Sequence, residues 1–343
     1  MKAVRIHEFG GPEVLRYEDI PDPQLRKDQV LVRVRACAMN HLDLWVRKGL
    51  PGVKLPHILG SDVAGEIVEG GEYVSGFNPG QRVLLAPMHF CGHCVKCVAG
   101  LQNQCRAFTV LGNAVDGGNC ELIAVPAVSA IPIPDSSNLD FNQAASVPLV
   151  FTTGWHMLTG RAGIRPGQTV LVLGANSGVG IAGIQIAKLF HCTVIATAGD
   201  DRKAELAREL GADYVINHYQ QKISEEVRKI TNKEGVDIVM EHVGPATWDE
   251  SVRSLKPGGT LVTCGATTGP QVGIDLRFVY SRQLSILGSY MGTMGELHEV
   301  MKQVFTGRLK PVVDRTFPLK DARAAHEYME KSQMFGKIVL DCS

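Results

Sequence analysis

Neither sign of charge is in excess. Lysine plus arginine and aspartate plus glutamate each number 35 in 343 residues. A chain without a basic surplus lacks the electrostatic footprint of nucleic-acid binding or of attachment to an anionic membrane. No run of about 18 apolar residues occurs, the length a spanning helix needs, and there is no internal repeat or low-complexity tract. Nothing at the start of the chain looks secretory, so the nine cysteines are expected to be thiols or metal ligands of a reducing cytoplasm, not a disulfide framework. The length exceeds what one core usually supports, roughly 250–300 residues, and predicts two domains.

Four of the cysteines are clustered. Cys91, Cys94, Cys97 and Cys105 follow a C-x2-C-x2-C-x7-C spacing. Four thiolates from one loop can close a tetrahedral shell around zinc. Such a shell leaves no position for water or substrate, so the expected role is structural: one zinc per chain. Disulfides and an iron–sulfur cluster are the other readings, and the x7 interval departs from the x3 of the ferredoxin run. The remaining five, Cys37, Cys120, Cys192, Cys264 and Cys342, are scattered and read as small buried hydrophobes.

The pattern of the chain changes near residue 150. Before it, short alternating segments such as 30–35, 63–68 and 81–86 are punctuated by Gly and Pro, which predicts an antiparallel β domain. After it, apolar strands at 169–173, 193–197, 236–240, 260–264 and 284–287 alternate with helical spacing at 181–190 and 203–210, the rhythm of a doubly wound parallel sheet. A strand–helix–strand tail from Pro311 onward is expected to return to the first domain. The expected division is 1–150 with 290–343, carrying the cysteine lobe at 91–105, and 151–289.

Gly174-Ala-Asn176-Ser177-Gly178-Val179-Gly180 lies between a buried strand and a helix. A glycine-rich turn there lets backbone N–H groups and the positive helix end face a pyrophosphate. The G-x3-G-x-G spacing is weak by itself and is strengthened by the flanking strand and helix. At the end of the second strand, where a carboxylate would take the ribose hydroxyls and select NAD, the chain has Ala198. Arg202 and Lys203 follow and are suited to a 2′-phosphate, so NADP(H) is expected ahead of NAD(H). The plain alternative is an exposed helix start.

With this lobe and this dinucleotide loop, nearly the whole chain resembles the medium-chain dehydrogenase/reductase superfamily: a GroES-like β-rich catalytic domain plus a Rossmann domain. In that family the substrate lies between the domains with the nicotinamide at the base of the cleft. Zinc alcohol dehydrogenases of the superfamily add a catalytic zinc on two cysteines and a histidine. This chain has Asn40, Ser61 and Leu149 in those places, and Cys37 comes three residues too early. The stretch Asn40-His41-Leu-Asp43-Leu-Trp45-Val-Arg47-Lys-Gly49 is instead similar to the quinone oxidoreductase branch, whose members reduce quinones and enones with NADPH and no metal.

The resemblance implies roles residue by residue. Thr153, Val243 and Gly265 would lie along the nicotinamide, and Asn176 to Gly180 at the pyrophosphate. Lys203 would take the 2′-phosphate beside His218, which stands where the branch often has tyrosine. Lys337 would reach the phosphates, and Asn40 and Trp45 would line the substrate site. Plainer readings make Asn40 a turn cap and Trp45 core packing, with Asp43 and Arg47 joined as a structural ion pair. The expected activity is hydride transfer from NADPH to an activated C=C or a quinone. An alcohol or aldehyde dehydrogenase is the first alternative, with His57, Asp62 and Asp43 assembling a second metal site. A non-catalytic NADP(H) sensor is the other. The expected partners are a small-molecule substrate and one or three further copies of the chain. Dimerisation would use the 284–287 edge strand.

Overall fold

The computed structural model describes residues 1–343. The chain forms two compact units, Met1–Leu149 with Thr293–Ser343, and Val150–Gly292.

In the first unit the alternating segment Gln29–Ala38 becomes the central strand of a seven-stranded sheet. Its inward residues Val30, Val32 and Val34 are fully buried, while Arg33 and Arg35 face away from the core. Asp62–Gly70 pairs antiparallel along one side, placing Asp62 across from Ala38. The tail strand Lys337–Asp341 pairs antiparallel on the other side, with Val339 across from Ala38. By that register Lys337 lies level with residue 40 just beyond the strand end. Three separate parts of the sequence therefore converge where Gln29–Ala38 stops and the helix His41–Gly49 begins. A smaller sheet of Leu15–Asp19, Lys2–Ile6 and His57–Ile58 packs into the same unit. The strands Lys2–Ile6 and Leu15–Asp19 and the capped helix Met294–Phe305 are not in the sequence reading.

The second unit is a six-stranded, all-parallel sheet. Its order is Tyr214–Asn217, Thr193–Ala198, Thr169–Val172, Val236–Glu241, Leu255–Thr263 and Ser285–Gly288. Numbered by sequence within the sheet this is 3-2-1-4-5-6, the dinucleotide-binding topology. Val170, Leu171, Val172, Val194, Ile195, Val239 and Met240 are fully buried, as strands covered on both faces require. The order reverses between Thr169–Val172 and Val236–Glu241. The crevice beyond the carboxyl ends of those two strands is where ligands bind in such sheets. No helix in the chain is long and apolar enough to cross a membrane.

Candidate active site

The convergence at the end of Gln29–Ala38 produces a buried polar cluster. Lys337 Nζ donates to Asn40 Oδ1 at 2.7 Å and to Asp62 Oδ2 at 2.9 Å. Asn40 Nδ2 donates to the same Asp62 oxygen at 3.0 Å and lies 3.5 Å from the Ala38 carbonyl. The other oxygen of Asp62 accepts the backbone N–H of Leu149 at 2.8 Å. Asp62 is 0 % exposed, Lys337 5 % and Asn40 6 %. A charge pair this deeply buried is tolerated only when its remaining hydrogen-bonding capacity is filled, and here the carboxylate is filled from three sides.

These contacts decide how the three expected ligand positions behave. A tetrahedral zinc needs sulfur, imidazole or carboxylate donors. Asn40 has both amide atoms engaged, Leu149 offers only its backbone, and Ser61 supplies a buried hydroxyl. The Lys337 ammonium is bonded to Asn40. The residues present do not fit a catalytic zinc. The alternative set of His57, Asp62 and Asp43 does not assemble either. His57 Nε2 donates to the Gly112 carbonyl at 3.1 Å and Nδ1 lies 3.3 Å from Asp116, and the one His/Cys/Asp/Glu group spaced for a metal is the four-cysteine lobe.

Asp43 and Arg47 do not pair with each other. Asp43 holds the turn between the strand and its helix: its two oxygens accept the N–H of Asn40 at 2.7 Å and of Gly60 at 2.9 Å. Gly60 has φ +101°, and a Cβ there would fall 2.6 Å from Cys37 Sγ, so glycine is required where the chain doubles back. Arg47 is buried against the tail helix Ala322–Glu330, where it donates to Glu330 at 2.6 Å and to His326 Nδ1 at 3.1 Å. Burial and the Arg47 charge push His326 down to about 3, which keeps it a neutral acceptor. Four residues along one helix separate the two side chains onto different partners. His41 and Trp45 occupy a further face of that helix, half-buried, with ring centroids 6.4 Å apart.

Burial pushes the Asp43 carboxyl up to about 6, against the two N–H bonds and the Lys337 charge that favour its ionised form. The folded state thus holds this proton more tightly than the unfolded chain does. The resulting stabilisation is complete below the ordinary carboxylate pKa and is lost as pH rises through about 6. Asn at this position has no titration. The stability deficit of Asp43→Asn relative to wild type should therefore grow by ~2 kcal/mol from pH 7.5 to pH 4.5. Denaturant titrations at several pH values read this directly, and a pH-independent deficit would refute it.

In the second unit the loop 174–180 has the features of an anion cradle. Gly174 has φ +58°, and a Cβ on Gly180 would fall 2.2 Å from the Gly174 carbonyl, so the turn closes only with glycine in both places. Ser177 caps the helix Gly178–Leu189, its Oγ accepting the Gly180 N–H at 2.9 Å. The first-turn N–H groups of that helix lack intrahelical acceptors and face outward with the positive end of the dipole. His242 braces the loop from the other side of the topological switch: its Nε2 donates to the Leu173 carbonyl at 2.9 Å and lies 3.5 Å from Ser177 Oγ. Next to it Glu241, fully buried, accepts the N–H of Val243 at 2.6 Å and of Gly244 at 2.9 Å, and the hydroxyls of Thr247 at 3.0 Å and Ser251 at 2.7 Å. Its carboxylate shapes the turn that carries Val243.

Gly265 sits beside the same turn, 3.1 Å from the His242 carbonyl when given a Cβ. Thr153 is buried, with Oγ1 3.7 Å from Met291 Sδ. Beyond Ala198, Asp200 caps the helix Asp201–Glu209 and lies 3.5 Å from Lys203 Nζ, while Arg202 is exposed. His218 packs on Tyr219 with centroids 4.5 Å apart, and burial, followed by the nearby Lys203 charge, pushes its pKa down. The cradle and the small residues at 198 and 199 fit a dinucleotide. Asn176, Gly178, Val179 and Gly180 would hold its phosphates, and bound there it would supply a hydride.

The cysteine lobe fits its metal. The four Sγ atoms lie within 4.8 Å of one another, with separations of 3.5 Å (Cys94–Cys97), 3.6 Å (Cys105–Cys91) and 3.9 Å (Cys91–Cys97). Tetrahedral zinc with ~2.3 Å Zn–S bonds requires sulfurs about 3.8 Å apart. Backbone N–H groups of His93 and Cys94 pull the Cys91 thiol down to about 6, toward the thiolate that binds metal.

Sequence reasoning connected neither Asp62 to Lys337 nor Glu241 to the Val243 turn. The first joins two strands 275 residues apart in sequence, and the second is a local turn in which Glu241 accepts from residues two and three positions on, a pattern no motif announces. Lys337, which the resemblance assigns to the cofactor phosphates, has its ammonium hydrogen-bonded to Asn40 and Asp62.

Two family descriptions match the chain, the alcohol dehydrogenase GroES-like domain over residues 26–135 and the zinc-binding dehydrogenase over residues 178–306. An acryloyl-coenzyme A reductase of Sulfurisphaera tokodaii is 32 % identical across 99 % of both chains. A quinone oxidoreductase of Rattus norvegicus is 31 % identical across 99 % of this chain and 97 % of that one. A solved structure described as an NAD-dependent alcohol dehydrogenase superposes with a TM-score of 0.97 at 41 % identity over the full length of both. With an all-parallel dinucleotide sheet, a GroES-like unit and a four-cysteine lobe, the chain belongs to the medium-chain dehydrogenase/reductase superfamily and is an oxidoreductase of that kind.

Proposed function

We propose that the protein uses NADPH to reduce a carbon–carbon double bond conjugated to a carbonyl, or a quinone, without a catalytic metal. One observation carries the reading. The positions that the resemblance gives to three zinc ligands hold Asn40, Ser61 and Leu149, and Asp62, paired with Lys337, accepts from the Asn40 amide and the Leu149 N–H. An alcohol or simple carbonyl would lack the Lewis acid that polarises it. A conjugated acceptor spreads the arriving negative charge over its own system. The names of the acryloyl-coenzyme A reductase and quinone oxidoreductase relatives agree with this class. The test is a screen of cofactor absorbance with enones, enoyl thioesters, quinones and alcohols, each with NADH and NADPH. Strong alcohol oxidation that a chelator abolishes without unfolding the protein would replace this reading with a zinc dehydrogenase.

The preference for NADPH rests on Ala198 and on Lys203, whose side chain is 17 % exposed at the helix start. A charge-assisted contact to a phosphate is worth roughly 1.5–3 kcal/mol, on the order of ten- to a hundredfold in affinity. Lys203→Ala should weaken NADPH by that factor in a fluorescence titration and change NADH by less than about threefold. The 41 %-identical structure is described as NAD-dependent, so equal wild-type affinity for both cofactors is the competing result.

We further propose a homodimer, alone or paired into a tetramer. Ser285–Gly288 ends the parallel sheet with one side unpaired, and Leu276, Tyr280, Ile286 and Tyr290 nearby are exposed. Joining two such edges covers them. Light scattering at micromolar concentration should give at least twice the chain mass, and a monomer would count against it.

A further inference from the structure

The strands Thr193–Ala198 and Tyr214–Asn217 run side by side, and Ala198 is level with Asn217. The residues just past their ends therefore meet. Gly199 stands on one side and His218 and Tyr219 on the other, and the His218 N–H donates to the Ala198 carbonyl at 3.2 Å. Both rings lie beside Gly199: a Cβ there would fall 2.8 Å from Tyr219 Cε2 and 3.6 Å from His218 Cε1. The turn that presents them is fixed. Asn217 Oδ1 accepts the Tyr219 N–H at 3.1 Å, and the Asn217 carbonyl accepts from Gln220 and Gln221. His218 Nδ1 is buried and has no hydrogen-bond partner. A buried polar atom left without a partner is uncommon in a folded protein and calls for an explanation.

The charges around this imidazole are few. The helix Asp201–Glu209 brings Lys203, whose Nζ lies 3.5 Å from Asp200 Oδ2 at the helix start. The strand Thr193–Ala198 and the residue after it end in Thr197, Ala198 and Gly199, none of which ionises, and the turn itself adds Tyr219. No carboxylate is paired with His218, so burial and the Lys203 charge favour the neutral ring. From these contacts we infer that His218 is a proton-linked ligand of the cofactor's 2′-phosphate: it takes a proton from solvent as NADPH binds and holds the phosphate as an imidazolium beside Lys203. A phosphate dianion is the counter-charge this corner lacks. It offsets the repulsion between the two cations and supplies the acceptor oxygen that the ring is without. The ribose hydroxyl of NADH brings no charge, so with that cofactor the ring stays neutral. This deepens the proposed preference for NADPH and rests on it. All of these residues lie within Val150–Gly292.

The consequence is a cofactor preference that depends on pH. The NADPH complex binds a proton that the free protein does not, so NADPH affinity rises as pH falls toward neutrality. The rise ends near pH ~6, where a phosphate monoester takes up a proton of its own. Between about pH 8.5 and pH 6.5 the dissociation constant of NADPH should fall on the order of tenfold relative to that of NADH.

Fluorescence titrations of the full-length protein with NADPH and NADH across that range measure the ratio. Calorimetry at about pH 7, in buffers of different ionisation enthalpy, counts the protons: roughly half a proton should be taken up per NADPH and none per NADH. His218→Gln has no ionisable ring, so its uptake should vanish and its affinity ratio should stay constant with pH. His218→Tyr gives the same answer with a ring in place, should glutamine disturb the turn. If the wild type takes up no proton with NADPH, or if both variants keep the wild-type uptake, the inference is overturned. The NADPH preference fails by a different result. Equal affinity for both cofactors at about pH 8.5, where the free imidazole is uncharged, would remove the contribution of Lys203, while the proton count still decides the role of His218.

Discussion

Replacing Cys94 by serine should strip the zinc from the protein and unfold the segment between Cys91 and Cys105. The reason lies in how little else holds that segment. Of its fifteen positions, only Cys97 and Cys105 are buried, both of them metal ligands. Val95 and Val98 are 84 % and 77 % exposed. The only regular structure is the four-residue helix Val95–Val98 and the single turn Gln102–Gln104. Helices this short do not persist by themselves. A lobe without a core takes its stability from the ion, and structural zinc in small folds contributes on the order of 10 kcal/mol. Metal analysis should find one zinc per wild-type chain and less than a tenth of that in Cys94→Ser. Hydrogen exchange should lose protection across 91–105 while the parallel sheet of the second unit keeps its own. Two zincs per wild-type chain would restore a catalytic metal. An unchanged lobe without zinc would remove the structural one.

The parts of the molecule legible in the sequence are those with local causes. The parallel strands announced themselves because both faces are covered, which leaves unbroken apolar runs such as Thr169–Val172. The phosphate loop needs glycine for steric reasons at Gly174 and Gly180. The zinc lobe draws its ligands from fifteen consecutive residues. The strand Lys2–Ile6 was illegible because alternating Lys2, Val4 and Ile6 is too short a pattern to stand out; the antiparallel partner Leu15–Asp19 and the isolated bridge from Ala3 to Cys120 decide it. Leu255–Thr263 starts five residues before its apolar run, across Pro257 and two glycines, because Val236 pairs with Leu255 around a bulge.

The candidate site was half legible for the same reason. Asn40, Ser61 and Leu149 could be read as absences of metal ligands, since each lies in a recognisable stretch. The partner that Asn40 and Leu149 share could not be read. The Lys337–Asp62 pair spans 275 residues and depends on two antiparallel registers meeting at Ala38. The Asp43–Arg47 pairing failed in the opposite way. A four-residue spacing favours contact on an isolated helix, but the Gly60 N–H and Glu330 offered each charge a better buried partner.

Glu241→Ala should be among the most damaging single changes in the second unit, and Glu241→Gln should separate folding from cofactor binding. Glu241 closes the strand Val236–Glu241 at the point where the sheet order reverses, and it is 0 % exposed. Its two oxygens satisfy the N–H groups of Val243 and Gly244 and the hydroxyls of Thr247 and Ser251. Alanine would leave all four without their acceptor, in a place where each unmet donor costs about 1–3 kcal/mol. Water entering the space left by the side chain recovers part of that, so a net loss of ~3–5 kcal/mol is expected, read as a fall in the denaturant midpoint with unchanged slope. Glutamine keeps the volume and one acceptor oxygen, and its new N–H2 can donate to the hydroxyls, which reverse their direction. One of the two backbone N–H groups then loses its acceptor, at a cost of ~1–2 kcal/mol. That group belongs to the turn carrying Val243 beside the His242 brace of the phosphate loop. Glu241→Gln should therefore remain folded at 25 °C yet bind NADPH about five- to tenfold more weakly, a change of ~1–1.4 kcal/mol. Wild-type affinity in a folded Gln variant would show that the carboxylate serves the fold alone, and that the shape of the Val243–Gly244 turn does not set cofactor binding.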